Sequence, residues 1–292
     1  MLGTALRQAL IGSGRATLQL VRRNPVGEGQ LQWNPAASPA ISNSARLAGL
    51  DAAIHLGGAN LAGHRCTAAW KREIRLSRVD STRALATALA ALPQPPHTLL
   101  VASAVGIYGN RGDELLDENS QVGKGFLGEV CQEWEAAAEP ARQAGIRVVN
   151  LRFGVVLDPA TGALAKMLPI FRLGLGGRLG SGCQWMSWIS LADAVSAILF
   201  ALDATSLAGP VNLTAPQPVT NTEFTHTLGR AVHRPAVLPA PAFALRLALG
   251  EMADEALLAS ARAVPVRLLS AGFQFVHPSL NLALAAALVR PQ

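Results

Sequence analysis

The chain has 292 residues, half of them hydrophobic, and a formal net charge of +6, so it carries enough apolar material for a sizeable core. Lys71, Lys124 and Lys166 are the only lysines; the remaining positive charge is arginine scattered along the chain without interleaved aromatics, which argues against a nucleic-acid partner. Three cysteines far apart, Cys66, Cys131 and Cys183, argue against a disulfide framework or a metal site and fit a reducing, cytoplasmic setting, and no apolar run approaches the ~20 residues of a membrane span.

The first stretch, MLGTALRQAL, reads as the opening turns of an amphipathic helix, with Leu2, Leu6 and Leu10 four apart. The first 23 residues contain arginine and no acid, so a mitochondrial presequence, and hence the matrix, is the alternative reading. Ala16 to Arg23 reads as a strand, GQLQWNP as a short second one, and DAAIHLGGA as a strand ending in glycines. A helical pattern from about Ala68 to Leu92 stops at the Pro93/Pro95/Pro96 cluster. HTLLVASAVGIYG is a buried strand entering a loop, a helix runs from about Phe126 to Ala144, and IRVVNLRFGVVL is a further buried strand. Strands with continuous Val/Ile/Leu runs alternating with helices predict a doubly wound parallel sheet of Rossmann type. Residues 1–158 are thus expected to bind a nucleotide.

The remainder, residues 159–292, is expected to form a smaller substrate lobe with some segments returning to the main sheet. It holds the glycine-rich RLGLGGRLGSG, a strand QWMSWI, a helix SLADAVSAILFAL capped by Ser190, a strand GPVNLTAP, a helix capped at Thr220/Asn221, and a Pro/Ala/Leu-rich helical tail.

In doubly wound domains ligands bind beyond the carboxyl ends of the strands. Gly3 stands where a glycine fingerprint would place its last glycine. LVRRNP ends the next strand, and where an acid would hold the ribose 2′-hydroxyl of NAD this chain carries Arg22 and Arg23. A guanidinium fork suits a 2′-phosphate, so NADP(H) is the expected cofactor; two solvated arginines before a turn proline is the alternative. Leu56, Gly57 and Gly58 end the next strand and would let backbone approach the adenosine side.

The set of marks RRNP, AAIHLGGANLAG, SRVDSTRALATAL, GIYG, WEAAA, MLPIFRLGLGG, GSGCQWMSWISLADAV and GPVNLTAPQPVTNTEF resembles the extended short-chain dehydrogenase/reductase superfamily, in an atypical epimerase-like branch. The C-terminal LPAPAFALRLALGEMADEALLASARAVP, followed by AGFQF, looks like that branch's own C-terminal domain. The resemblance runs nearly end to end. It implies an N-terminally truncated fold, because family chains begin one strand earlier and Met1 here falls inside the fingerprint. Loss of such a strand would remove buried side chains at ~1.5–3 kcal/mol each, so a misassigned start is expected.

The superfamily's usual chemistry needs a Tyr and a Lys four residues apart on one helix, the cation lowering the phenol's pKa. Registering FLGEVCQEWEAAA on that helix puts Leu127 at the Tyr position and Cys131 at the Lys position. No Tyr-x-x-x-Lys exists in the chain, whose one tyrosine is Tyr108. Ser103 lies near the usual catalytic Ser/Thr, with Ala104 one register step away, and a plain strand-end serine is the alternative. Tyr108 faces either the nicotinamide side or a structural turn. Cys131 is either a substitute acid or a buried helix cysteine. Arg78 stands where related enzymes carry an Asn and is read as an anion contact with Glu73 nearby; an exposed ion pair is the alternative. Arg152 and Phe153 end a strand at the nicotinamide side, and Trp188 walls a substrate pocket or packs in the core. The resulting expectation is an NADP(H)-dependent oxidoreductase or epimerase acting on a small molecule, with a non-catalytic NADP(H)-binding or redox-sensing module as the alternative. No metal, membrane or nucleic acid is expected, and a homodimer is left open.

Overall fold

A computed structural model describes residues 2–61, 63 and 66–288; Met1, on which the truncation argument turned, lies outside them. The chain opens with α1 (Leu2–Gly12), which lays Leu6, Leu2 and Leu10 on the core. β1 (Gln19–Val21) pairs in parallel with β2 (Gln30–Gln32) as a sheet of two. β3 (Ala52–His55) leads to α2 (Ala68–Ala90), whose first turn is capped by Thr67 accepting from the Trp70 N–H. β4 (Thr98–Ala104), a 3-10 turn over Val105–Tyr108 and β5 (Leu115–Leu116) follow.

The single helix expected after residue 125 is two, α3 (Phe126–Ala136) and α4 (Glu139–Gln143). Pro140 sits in the first turn of α4, the one helical position that tolerates a missing N–H. The long strand expected over IRVVNLRFGVVL also divides, into β6 (Arg147–Phe153) and β7 (Val155–Leu157). Gly154 is the pivot: a Cβ there would lie 2.6 Å from the Ser187 carbonyl oxygen, so only glycine lets the chain leave one sheet and join another.

α5 (Gly162–Arg172), β8 (Trp185–Met186), β9 (Trp188–Ser190), α6 (Leu191–Asp203), β10 (Gly209–Leu213) and β11 (Val219–Thr220) come next. α7 (Asn221–Ala231) carries a full capping box, with Thr220 accepting from the Glu223 N–H while Glu223 accepts from the Thr220 N–H. Thr220→Ala is expected to lower stability by about 1 kcal/mol in urea unfolding, whereas an unchanged midpoint would mean that water caps the helix equally well. The tail comprises α8 (Ala242–Leu249), one π-helical turn over Ala253–Leu257, β12 (Arg262–Ala263), α9 (Val266–Ser270) and α10 (Leu280–Leu288).

The main sheet is parallel, in the order β10-β6-β4-β3. Parallel sheets need cover on both faces. One face packs Leu99, Val101 and Val148 under Val79, Leu85 and Leu89 of α2 and Trp134 of α3. The other packs Leu100, Val149 and Leu151 under α1, Ala194, Ala197 and Ile198 of α6, and Leu268 of α9. A third core, around Leu168, Phe171, Trp188, Phe224 and Leu284, belongs to α5, β9, α7 and α10. β10 comes from beyond residue 200 yet pairs with β6, and Arg147 at the start of β6 donates to four carbonyls, those of Ala201, Leu202, Ala204 and Leu207, closing the C-terminus of α6. Among the described residues no helix is long and apolar enough to cross a membrane, and no group of three His, Cys, Asp or Glu could hold a metal ion.

Candidate functional site at the strand ends

Three neighbouring strands bring Ser103, Arg152 and Asn212 into one row, because the registers pair Ser103 with Arg152 and Arg152 with Asn212. Helix α3 lays Glu135 on this row. Ser103 Oγ donates to Glu135 Oε1 at 2.7 Å, and Arg152 grips both carboxylate oxygens, Nε to Oε1 at 2.8 Å and Nη2 to Oε2 at 2.9 Å. The remaining Arg152 nitrogen donates to the Tyr108 hydroxyl at 3.0 Å, which in turn donates to Asn212 Oδ1 at 2.7 Å. Asn212 is held by its Nδ2 on the Val264 carbonyl, and its backbone N–H donates to Glu118.

This network decides what its members can do. Burial works against the Arg152 charge, but the hydrogen bonds and charge of Glu135 more than offset it, so its pKa stands above the ordinary arginine value. Tyr108 is fully buried with its hydroxyl committed on both sides, and burial outweighs the nearby guanidinium, so its pKa is raised. Of the two readings of Tyr108, this environment is that of the structural turn: a phenol harder to ionise than usual, with its hydroxyl bonded on both sides. Ser103 is also buried and donates to Glu135, which ties β4 to α3.

The positions where a Tyr and a Lys would stand are closed as well. Leu127 packs with Ile74, Val130 and Met252. The Cys131 thiol is buried, and desolvation together with the Glu135 charge pushes it up to about 12, which removes it as an acid or base near neutrality. Trp188 is wholly buried in the third core and its Nε1 donates to the Gln217 carbonyl, so it cannot wall a ligand pocket.

A second group lies where β1 and β3 end. His55 is buried, edge-on to Trp33, with Nε2 3.0 Å from Ser81 Oγ. Because Ser81 donates its own proton to the Ser77 carbonyl at 2.7 Å, His55 is the donor to Ser81 and carries its proton on Nε2. Burial, aided by the nearby Arg22 charge, lowers its pKa to about 4. β1 and β3 are not hydrogen-bonded neighbours. Arg22 and Arg23 are both exposed, and among the described residues no salt bridge involves either.

Gly57 and Gly58 both sit close against side chains of the protein's own packing. A Cβ on Gly57 would meet the His55 ring at 2.9 Å, and one on Gly58 the Arg78 guanidinium carbon at 3.2 Å. Arg78 is buried, stacked 5.1 Å from the Trp134 ring, and donates Nη2 to the Ala59 carbonyl and Nη1 to the Ile74 carbonyl. Burial lowers its pKa, and among the described residues no salt bridge supplies a carboxylate. Glu73 does not pair with it: α2 buries Ile74, Ser77 and Arg78, and Glu73 is exposed. Leu56 and Phe153 are half-buried and touch the cores on both sides of the sheet. Gly3 is exposed in the first turn of α1, with open space where a Cβ would be.

Comparison with known proteins adds the lineage. A family model described as "NAD dependent epimerase/dehydratase family" matches residues 1–213. The chain belongs to the NAD dependent epimerase/dehydratase family. A second model, a domain of unknown function, matches residues 240–287 of this epimerase-family chain. The epimerase family protein Mb2239 of Mycobacterium bovis is 48% identical over 291 residues, covering 100% of this chain and 95% of the relative. A crystal structure of human epimerase family protein SDR39U1 (isoform 2), solved with NADPH, is 34% identical with a TM-score of 0.90, covering 98% of this chain and 95% of that one. MoeE5, solved with UDP-glucuronic acid and NAD, has a TM-score of 0.74 at 19% identity and covers 97% of this chain and 93% of its own; it shares the fold.

Glu135 and Asn212 were not singled out from the sequence, and Glu118, expected with Asp113, Glu114 and Asp117 to lie in a solvated acidic loop, is instead buried and accepts from the Asn212 and Arg267 N–H groups. Glu135 had a usable signal: it lies four residues after Cys131 and eight after Leu127, hence on the same face of the epimerase-family helix. Asn212 had none, because only the register of β10 against β6 brings it to the row.

Proposed function

We propose that this epimerase-family chain binds NADP(H) across the ends of β1, β3, β4 and β6, and uses it on a small molecule as an oxidoreductase or epimerase that lacks the Tyr-Lys pair. Residues 1–158 hold the cofactor and residues 159–292 the substrate. One observation carries the reading: the strand ends hold cations without counter-charges, two exposed arginines after β1 and the buried Arg78 beside the Gly57–Gly58 turn. A buried guanidinium without a carboxylate is expensive, and an anionic ligand relieves it. The NADPH in the human relative supports the choice of cofactor.

In this reading Arg22 and Arg23 hold the 2′-phosphate, the Leu56–Gly58 turn lies along the dinucleotide, and Arg78 faces one of its anionic groups. Gly3 leaves the first turn of α1 open to the phosphates, and Phe153 borders the nicotinamide end. Bound NADP(H) supplies hydride exchange at its nicotinamide ring. Arg152, Ser103 and Glu135 hold the floor of the site rigid.

The test is an NADPH titration followed by tryptophan fluorescence, with NADH in parallel. Replacing both Arg22 and Arg23 with alanine is expected to weaken NADPH binding by about tenfold to hundredfold, the worth of one charged hydrogen bond, and to leave NADH nearly unaffected. Equal weakening of both, or no preference in the unaltered protein, overturns the assignment. The closure of Leu127, Cys131 and Tyr108 favours a second reading, a non-catalytic module that reports nucleotide redox state. Loss of nicotinamide absorbance in a single turnover with carbonyl substrates separates the two.

A further inference from the structure

Of residues 241–259 only Met252 and Ala253 are buried, the rest being half-buried or exposed, and α8 has no buried residue at all. Phe243 and Leu247 of α8 are 72% and 75% exposed. Yet this segment crosses from the C-terminal lobe to the strand ends and makes three ties there. Met252 inserts among Ile74, Leu127 and Val130, with Leu61, Cys66 and Trp70 alongside. Glu251 Oε2 meets Lys71 Nζ at 2.5 Å. Glu255 accepts from the Phe126 N–H at 3.2 Å and the Leu127 N–H at 3.0 Å, closing the N-terminus of α3. Gly125 makes room for that carboxylate, since a Cβ there would lie 2.6 Å from Glu255 Oε1.

Each tie is small. The ion pair is solvent-exposed, with Glu251 52% accessible, and such pairs add little. The carboxylate at the helix terminus is open to exchange with water, and one methionine is a single peg. Gly250, at φ +65, gives the backbone a pivot just before the ties, while Gln184 fixes the far end by donating to the Leu257 carbonyl. Segments with few buried contacts open locally without global unfolding.

We propose that residues 242–257 are a gate hinged at Gly250, closed by Met252 and Glu255 over α3 and over Leu61 and Cys66. Opening uncovers Leu127, Ile74 and the first amides of α3, and so the approach to the strand ends from the C-terminal lobe. What the gate admits rests on the cofactor reading above; whether it opens does not.

Hydrogen exchange on the full chain tests it. In the unaltered protein, amides of 243–257 are expected to exchange at least about a hundredfold faster than those of β4 and β6. Glu255→Gln is expected to speed residues 251–257 and, in step, the Phe126 and Leu127 amides, about tenfold, with β4 and β6 unchanged. Met252→Ala does the same from the peg. The gate is overturned if 243–257 exchange only as slowly as the sheet, or if either variant speeds the sheet amides equally. NADPH, added as a probe in a separate arm, slows exchange at Leu56–Ala59 if the cofactor reading holds, and failure of that arm alone leaves the gate standing.

Discussion

Replacing Glu135 with alanine is expected to cost about 3–5 kcal/mol of folding stability, because it strands the Arg152 charge in the interior. The two side chains are 12% and 7% exposed, so water does not take over the role of the carboxylate. The loss spreads: Arg152 loses both of its bidentate bonds, Ser103 loses its acceptor, and Arg152 is left with Nη1 alone, on the Tyr108 hydroxyl and the Glu118 carbonyl. Pairing Glu135→Ala with Arg152→Met removes the stranded charge, so the double variant is expected to be more stable than the single. Urea unfolding of the three proteins reads this directly. A single-variant cost below about 1 kcal/mol, the range of exposed pairs, would mean that the network is hydrated and does not brace the strand ends.

Acidification is expected to destabilise the protein through His55. Its folded pKa of about 4 lies below the ordinary value of 6.5, so the unfolded chain binds the proton more tightly. The contribution of this group is therefore complete above pH 6.5 and is lost as the pH falls from there toward 4, at about 1.4 kcal/mol per unit, or about 3 kcal/mol in all. His55→Gln keeps a donor for Ser81 and removes the titration. Its thermal midpoint is expected to fall less steeply than that of the unaltered protein between pH 6.5 and 4. Parallel curves would show that His55 accepts a proton in place, with Arg22 moving away. Arg22 is part of the cause of the shift, so a bound anion that neutralises it is expected to flatten the same slope.

The position that most resisted sequence reading was Trp188. A tryptophan shortly before a capped helix is equally compatible with a pocket wall and with a core, and only the packing of α5, α7 and α10 over β9 settles it as core. Glu73 and Arg78 illustrate the opposite case. Helical periodicity alone separates them, and the buried stripe Ile74, Ser77, Val79, Thr82 and Leu85 is readable from residue types. Arg78 hid in it because a buried arginine without an acid is not what periodicity leads one to expect.

The amino-acid sequence by itself determined the doubly wound pattern, the family, the capping of α6 by Ser190 and α7 by Thr220, and the pair of arginines closing β1. These follow from local rules: apolar runs and periods, side chains that bond their own backbone, and residue types at strand ends. Only the tertiary structure decided that Ser103, Arg152, Asn212, Glu135 and Tyr108 form one network, that Gly154 sends one strand into two sheets, and that Met252 and Glu255 close the helix where a catalytic tyrosine would stand. Register across a parallel sheet is fixed by hydrogen bonds between segments far apart in the chain, and a shift of one residue would turn every side chain of the row to the other face.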